Sequence, residues 1–310
     1  MIRDIFSTTV LLGILASGIR LATPYLYAGI GETFGQRSGV LNLGVEGQML
    51  LGAFASFYVV FMTGNLWLGL VTAMIVGAVM GLAMAFVSIE LQAKQGISGI
   101  GFYLFGLGTS DLLFRTMIGS VETVSGFQPL AIPLLSDIPY IGEVFFNQNV
   151  LVYGAFLLVP VAWFVLNKTT FGLQVRAVGE NPQAADSLGV SVRRVRYVTV
   201  TMGGALSGIA GASLSIALLN VFQQNLTSGQ GFIAVALVYF GGWRPWGVLM
   251  GALLFSMVNS LQLWIQVLGI PVPSDIAVMM PYVLTIVALV VAMQRMRSPS
   301  ALTKAFEREG

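Results

Sequence analysis

Long apolar runs separated by short glycine-rich or polar breaks dominate the pattern of this chain. The clearest run, 66–89, contains no charged residue, and others cover 5–30, 150–166, 198–219, 248–268 and 276–293. These lengths approach or exceed the ~20 residues that a helix needs to cross a hydrocarbon core of about 30 Å. Only helices and closed barrels satisfy every backbone polar group in lipid. Barrel strands are short and alternate apolar with polar positions, whereas these runs are apolar on every face. The pattern predicts an all-α, polytopic helical membrane protein, organised as a single transmembrane domain over 1–310.

Charge placement orients the bundle. Charged residues are only 9% of the 310, far below the ~25% of a soluble domain, and the mean hydropathy is +0.86. Basic residues collect on the cytoplasmic side of short loops. Segment 168–196 carries Lys168, Arg176, Arg193, Arg194 and Arg196, while 119–149 carries Glu122, Asp137 and Glu143 with no Lys or Arg. The first is placed inside and the second outside. The tail 294–310, with Arg295, Arg297, Lys304 and Arg308, is also placed inside. Crossings at 8–30, 45–63, 66–91, 97–118, 150–167, 198–220, 229–241, 246–268 and 276–293 then give about nine passes (range 8–10), with the N-terminus outside. The N-terminal run is too long for a signal-peptide core and reads as a retained first helix.

Two crossings are weak. Both 45–63 and 229–241 are short and glycine-flanked, the pattern of a re-entrant or broken helix. Paired interruptions in two halves of a chain point to a central transport path. The string beginning Gly39-Val-Leu-Asn faintly resembles the one beginning Gly229-Gln-Gly-Phe, which leaves an internal repeat open.

Chemistry is narrowed by what the chain lacks. With no cysteine and no histidine, it has no thiolate or imidazole for nucleophilic, metal or general-base work. Nothing forms a basic stripe for nucleic acid. A membrane-embedded enzyme is therefore disfavoured.

Two strings carry the remaining information. The first, Gly31 to Met49, sets Glu32, Arg37, Asn42 and Glu46 among closely spaced glycines. Glycine permits tight turns and close backbone approach, and a carboxylate costs roughly 2.5–3.5 kcal/mol at a membrane helix centre. Glu46 opens an apolar helix, where the macrodipole favours an anion; the alternative reading makes Glu32–Arg37 an interfacial ion pair and Glu46 a simple cap. In the second string, Phe171 to Val190, Asn181 caps a short helix with Pro182 at its first position. Ala184 and Ala185 give it a small face, and Gly189 ends it in the left-handed conformation. Such a two-turn helix is unstable alone and suits a partner's groove, with a helix lying on lipid headgroups as the alternative. Asp111 and Arg115 stand one helical turn apart and read as a structural pair.

Together and in this order, the two strings resemble the permease subunits of bacterial ABC importers for simple sugars and nucleosides, a branch related to ribose-type and branched-chain amino-acid permeases. Ser38-Gly-Val-Leu-Asn-Leu-Gly-Val-Glu-Gly-Gln-Met resembles the nucleoside-type version, with Gly31-Glu32 ahead of it. The string from Arg176 to Gly189 resembles the loop whose short coupling helix docks on the ATP-binding subunit. The resemblance spans about 20–295, and the chain is shorter at its N-terminus than ribose-type relatives, which carry an extra helix. It implies ATPase-coupling roles for Glu180, Asn181, Pro182, Ala184, Ala185 and Gly189. It also implies a partner ATP-binding cassette subunit, a second homologous permease, an extracytoplasmic solute-binding protein and a place in the lipid of the bacterial inner membrane. This chain has no Gly-x-x-x-x-Gly-Lys-Ser/Thr loop, so ATP and Mg are expected on the partner subunits and no cofactor on this one.

The expected mechanism is alternating access. Candidate path residues are Asn42 and Glu46, with Asn220, Gln223, Asn259 and Gln262, although amides in bundles also serve as interhelical hydrogen-bond glue. A branched-chain amino-acid permease is the alternative within the class. An ion-coupled transporter using Glu32, Glu46, Glu90 or Asp111 as relays is the alternative outside it.

Overall fold

The computed structural model describes residues 8–269, 273, 276, 279–283, 286–287, 290 and 297–307. Its helices are α1 Thr8–Arg37, α2 Val45–Thr63, α3 Leu66–Ile89, α4 Gln95–Met117, α5 Ile141–Phe145, α6 Val150–Lys168, α7 Thr170–Glu180, α8 Pro182–Ser187, α9 Val192–Ser213, α10 Gln230–Phe240 and α11 Pro245–Val267. Strands β1 Leu130–Ala131 and β2 Asn147–Gln148 pair antiparallel beside α5. Among the described residues, seven helices are long and apolar enough to cross a membrane: α1, α2, α3, α4, α6, α9 with its π-helical extension, and α11. The predicted crossing 229–241 is the shorter α10, and half of the last one, 276–293, lies outside the described residues.

The helix ends follow local chemistry. Gly64, at φ +69°, closes α2, and the Asn65 side chain accepts from the N–H groups of Trp67 and Leu68 to open α3. Two residues thus reverse the chain. Prolines 24 and 160 lie inside α1 and α6, tolerated where neighbouring helices re-satisfy the backbone. Helix α1 runs seven residues past its predicted end and takes in Gly31–Arg37, because Gln36 bonds Glu32 one turn back at 3.0 Å. Helix α9 likewise begins at Val192, so Arg193, Arg194 and Arg196 lie on its first turns rather than in a loop.

Small residues set the packing. Helix α9 packs against α1, α2 and α3, while α1 packs against α9, α10 and α11. At the α9–α3 crossing, Gly204 and Gly208 face Gly77 and Gly81, and a Cβ at Gly204 would stand 2.7 Å from the Gly81 Cα. Without a hydrophobic driving force between helices in lipid, such close approach supplies the association. Helix α9 thus packs on α2 and α3, and α1 packs on α10 and α11, so early and late parts of the chain interlock.

Segments predicted inside converge on one end of the bundle. There the Arg37 Nε donates to the Trp243 carbonyl at 2.9 Å, Arg193 pairs with Glu90, and Ala301 N–H donates to the Gly179 carbonyl at 2.9 Å. The opposite end joins 119–149 to the end of α9 through Val124 N–H on the Asn220 carbonyl (3.0 Å) and Phe127 N–H on the Ile216 carbonyl (2.9 Å). Here α9 widens to a π-helix over Leu214–Leu218, and the loop takes up one of the carbonyls it presents.

Candidate functional site

The two weak crossings turn out differently. The 45–63 crossing is a continuous 19-residue helix. By contrast α10 has 11 residues, about 16 Å of helix, roughly half a hydrocarbon core. The chain reaches its start through non-helical backbone. Phe222 there is fully buried and packs on Phe54, Phe57 and Phe114. This aromatic cluster anchors the irregular segment to the bundle, while Gln223, Gln224 and Asn225 beside it are exposed.

Glu46, in the first turn of α2, meets the exposed N-terminus of α10. Its Oε1 accepts from the Thr227 hydroxyl at 2.6 Å and from Gly229 N–H at 2.7 Å, and its Oε2 accepts from Gly231 N–H at 2.5 Å. The side chain is fully buried. Sequence reasoning set Glu46 at the N-terminus of its own helix, but the helix it caps is α10, some 185 residues away. The orphan amides of a half-helix are a ready anion site, and here this chain fills it. Gly231 admits the contact, since a Cβ there would meet the Glu46 Cα at 2.6 Å.

A second buried network is built around Glu32. Glu32 Oε1 accepts from Gln36 Nε2 and from Asn42 N–H (2.9 Å), and the Trp243 indole N–H donates to Gln36 Oε1 at 2.7 Å. Asn42 donates to Gln48 Oε1 at 3.2 Å and accepts from Gly44 N–H at 2.9 Å. The Glu32–Arg37 pair of the alternative reading is absent among the described ion pairs, because Arg37 points to the Trp243 carbonyl instead. Glu32 thus serves to fold the 38–44 loop back into the bundle.

The other path candidates do not gather around Glu46. Asn220 lies half-buried just beyond the π-helix at φ +58°, and Gln223 is exposed on the outer loop. Gln223 lines, with Phe114, Arg115 and Gln224, an open depression of about 590 Å³. Asp111 pairs with Arg115 at 3.0 Å, as its spacing predicts, and also accepts from Gln224. Asn259 and Gln262 lie on α11, half-buried and buried. Thr227, Gln48, Gln36 and Trp243 escaped sequence reasoning. Only the spacing of Gly229 and Gly231 carried a signal, as the faint repeat of the first string.

At the basic end the short helix has its predicted form. Asn181 Oδ1 accepts from Ala184 N–H at 3.0 Å, Pro182 is at the first helical position, and Gly189 has φ +83°. The two alanines differ. Ala185 is 3% exposed and packed in the main core, whereas Ala184 faces outward beside Leu188, which is 85% exposed. Leu188 and Ala184 thus form the outward side of this short helix, opposite the anchoring Ala185.

Comparison with known proteins agrees with this geometry. A family described as the branched-chain amino acid transport system permease component matches residues 14–289. A protein of Haloferax volcanii provisionally described as a glucose ABC transporter permease is 39% identical, covering 96% of this chain and 98% of its own length. A guanosine ABC transporter permease of Bacillus subtilis is 36% identical over 90% of this chain and 92% of its own length, and a nucleoside ABC transporter permease of Lactococcus lactis is 36% identical over 93% and 94%. No solved structure matches. A multi-pass bundle with a short apolar helix and a capped helix at its basic end fits that kinship, and the chain belongs to this family of ABC transporter permeases.

Proposed function

We propose that this permease moves nucleosides or simple sugars inward across the bacterial cytoplasmic membrane, driven by ATP hydrolysed on separate cassette subunits. The observation that carries the reading is the pairing of Glu46 with the N-terminus of α10. That terminus is the natural receptor at membrane depth for a substrate carboxylate, and it is already filled by three short bonds. An uncharged hydroxyl-rich solute has no need of it, whereas an amino-acid zwitterion does. The relatives named for glucose, guanosine and nucleosides point the same way. A second homologous permease and an extracytoplasmic capture protein complete the transporter, and the basic end with its C-terminal tail faces the cytoplasm.

In this reading α8 is the coupling helix. Glu180, Asn181, Pro182 and Gly189 shape it, Ala185 anchors it, and Ala184 with Leu188 contacts the ATPase. Nucleotide-driven closure of the cassettes moves α8 and rocks the attached spans, and affinity for solute resides in the capture protein. Replacing Ala184 and Leu188 with glutamates leaves membrane insertion intact and abolishes co-purification with the cassette subunit. Normal assembly and uptake in that double variant would sink the assignment.

A further inference from the structure

The basic end holds a set of contacts that docking through α8 does not require. Residues 299–304 form a tight turn, with Leu302 N–H on the Pro299 carbonyl and Lys304 N–H on the Ala301 carbonyl, each at 3.1 Å. The turn reaches in two directions. Ala301 N–H donates to the Gly179 carbonyl at 2.9 Å, and the Ser300 hydroxyl donates to the Glu180 carboxylate at 3.0 Å. Thr303 N–H donates to the Gly39 carbonyl at 3.1 Å. Residues 300–303 therefore bridge the last turn of α7, directly ahead of α8, to the loop that follows α1.

Arg196 closes the same bridge from below. It is 2% exposed, its Nε donates to the Ser38 carbonyl and its Nη1 to the Lys304 carbonyl, both at 3.1 Å. Ser38 and Thr199 hydroxyls share a further bond of 2.8 Å. Two features mark the bridge as specific. Gly39 has φ +93°, and a Cβ on it would meet Arg196 Nη2 at 2.9 Å and the Ala301 carbonyl oxygen at 3.0 Å. Thr303 holds φ +66°, a left-handed conformation that a β-branched residue adopts only when its surroundings impose it. Beyond Gly39 the loop runs through Asn42, bonded to Glu32, into the first turn of α2 and Glu46.

We propose that residues 300–304 and Arg196 form a transmission strap that carries displacement of α8 to the Gly39 loop, and so to Glu46 and the half-helix α10. The inference rests on the reading of α8 as the ATPase-docking helix. Arg196 is a positioning residue here, touching neither solute nor nucleotide. Severing the strap should uncouple ATP hydrolysis from uptake without releasing the cassette subunits.

The test uses the complete transporter in proteoliposomes, with Arg196→Gln and, separately, Ala301→Pro. The first removes a clamp on two carbonyls, and the second removes the N–H that reaches Gly179. Co-purification, ATP hydrolysis and solute uptake are measured on each preparation. Both variants are expected to assemble and hydrolyse ATP while uptake per ATP falls on the order of tenfold, the scale of one or two lost hydrogen bonds. An unchanged uptake-to-hydrolysis ratio in either assembled variant overturns the strap and leaves α8 docking standing. Loss of assembly in both variants also overturns it, since the contacts would then serve folding or docking rather than transmission. Intact assembly of the Ala184→Glu, Leu188→Glu variant, run in parallel, would instead defeat the underlying docking assignment.

Discussion

Glu46 illustrates what a single side chain contributes at membrane depth. A buried carboxylate is costly unless its oxygens are satisfied, and here a hydroxyl and two amides satisfy them. Glu46→Gln keeps the shape and one carbonyl oxygen, but it turns an amide NH₂ towards a backbone N–H. Leaving one such donor unsatisfied costs about 1–3 kcal/mol. Glu46→Ala strands all three donors and opens a void as well. Thermal melting of the detergent-solubilised permease should rank wild type above the glutamine variant and that above the alanine variant. A glutamine variant that melts with wild type would remove Glu46 from its role as the cap of α10. Trp243 makes a parallel case at the other network: Trp243→Phe leaves the buried Gln36 Oε1 without the indole donor, and a stability loss of about 1–3 kcal/mol follows.

At the level of helices, the glycine face of α9 makes the sharpest claim. Gly204 lies against the backbone of α3, and backbone cannot swing aside. Gly204→Leu should therefore cost at least about 1–3 kcal/mol of overpacking and lower the yield of folded protein. Gly108→Ala on α4, where an added Cβ meets nothing within 4 Å, should be neutral and serves as the control. Fluorescence-detected size exclusion of both variants reads the difference directly. For α8, Ala185→Phe should damage the helix itself, because that alanine is in the core. Element identity was legible wherever the signal was local. Uninterrupted apolar length placed α3, and the Asn181-Pro182 cap with Gly189 placed α8. Contacts between distant segments were not legible. No local pattern in 45–49 says that Glu46 will meet residues 227–231, and equal exposure of Ala184 and Ala185 is all that an alanine pair suggests. The extension of α1 through Gly31–Arg37 was missed because a charged, glycine-rich string reads as a break until its side chains find partners in Gln36 and Trp243.

For the molecule as a whole, the decisive question is what drives it and what it carries. The carboxylates that an ion-coupled carrier would use as relays are engaged elsewhere. Glu32 holds the 38–44 loop, Glu46 caps α10, Glu90 pairs with Arg193 and bonds Tyr197, and Asp111 pairs with Arg115. None stands as a free proton acceptor along a path through α2 and α10, and histidine is absent. The packing of α9 on α2 and α3, and of α1 on α10 and α11, ties these helices into one bundle through close glycine crossings. The strap at the basic end gives external work a route into that bundle. Solute uptake into vesicles bearing the complete transporter should accordingly need ATP and persist when a protonophore dissipates the proton gradient. Excess unlabelled nucleoside or glucose should compete with uptake, and excess leucine should not. Competition by leucine would mean that a zwitterion is accepted at a junction whose anion site Glu46 already occupies, and the assignment of uncharged solutes would then fail even if ATP dependence held.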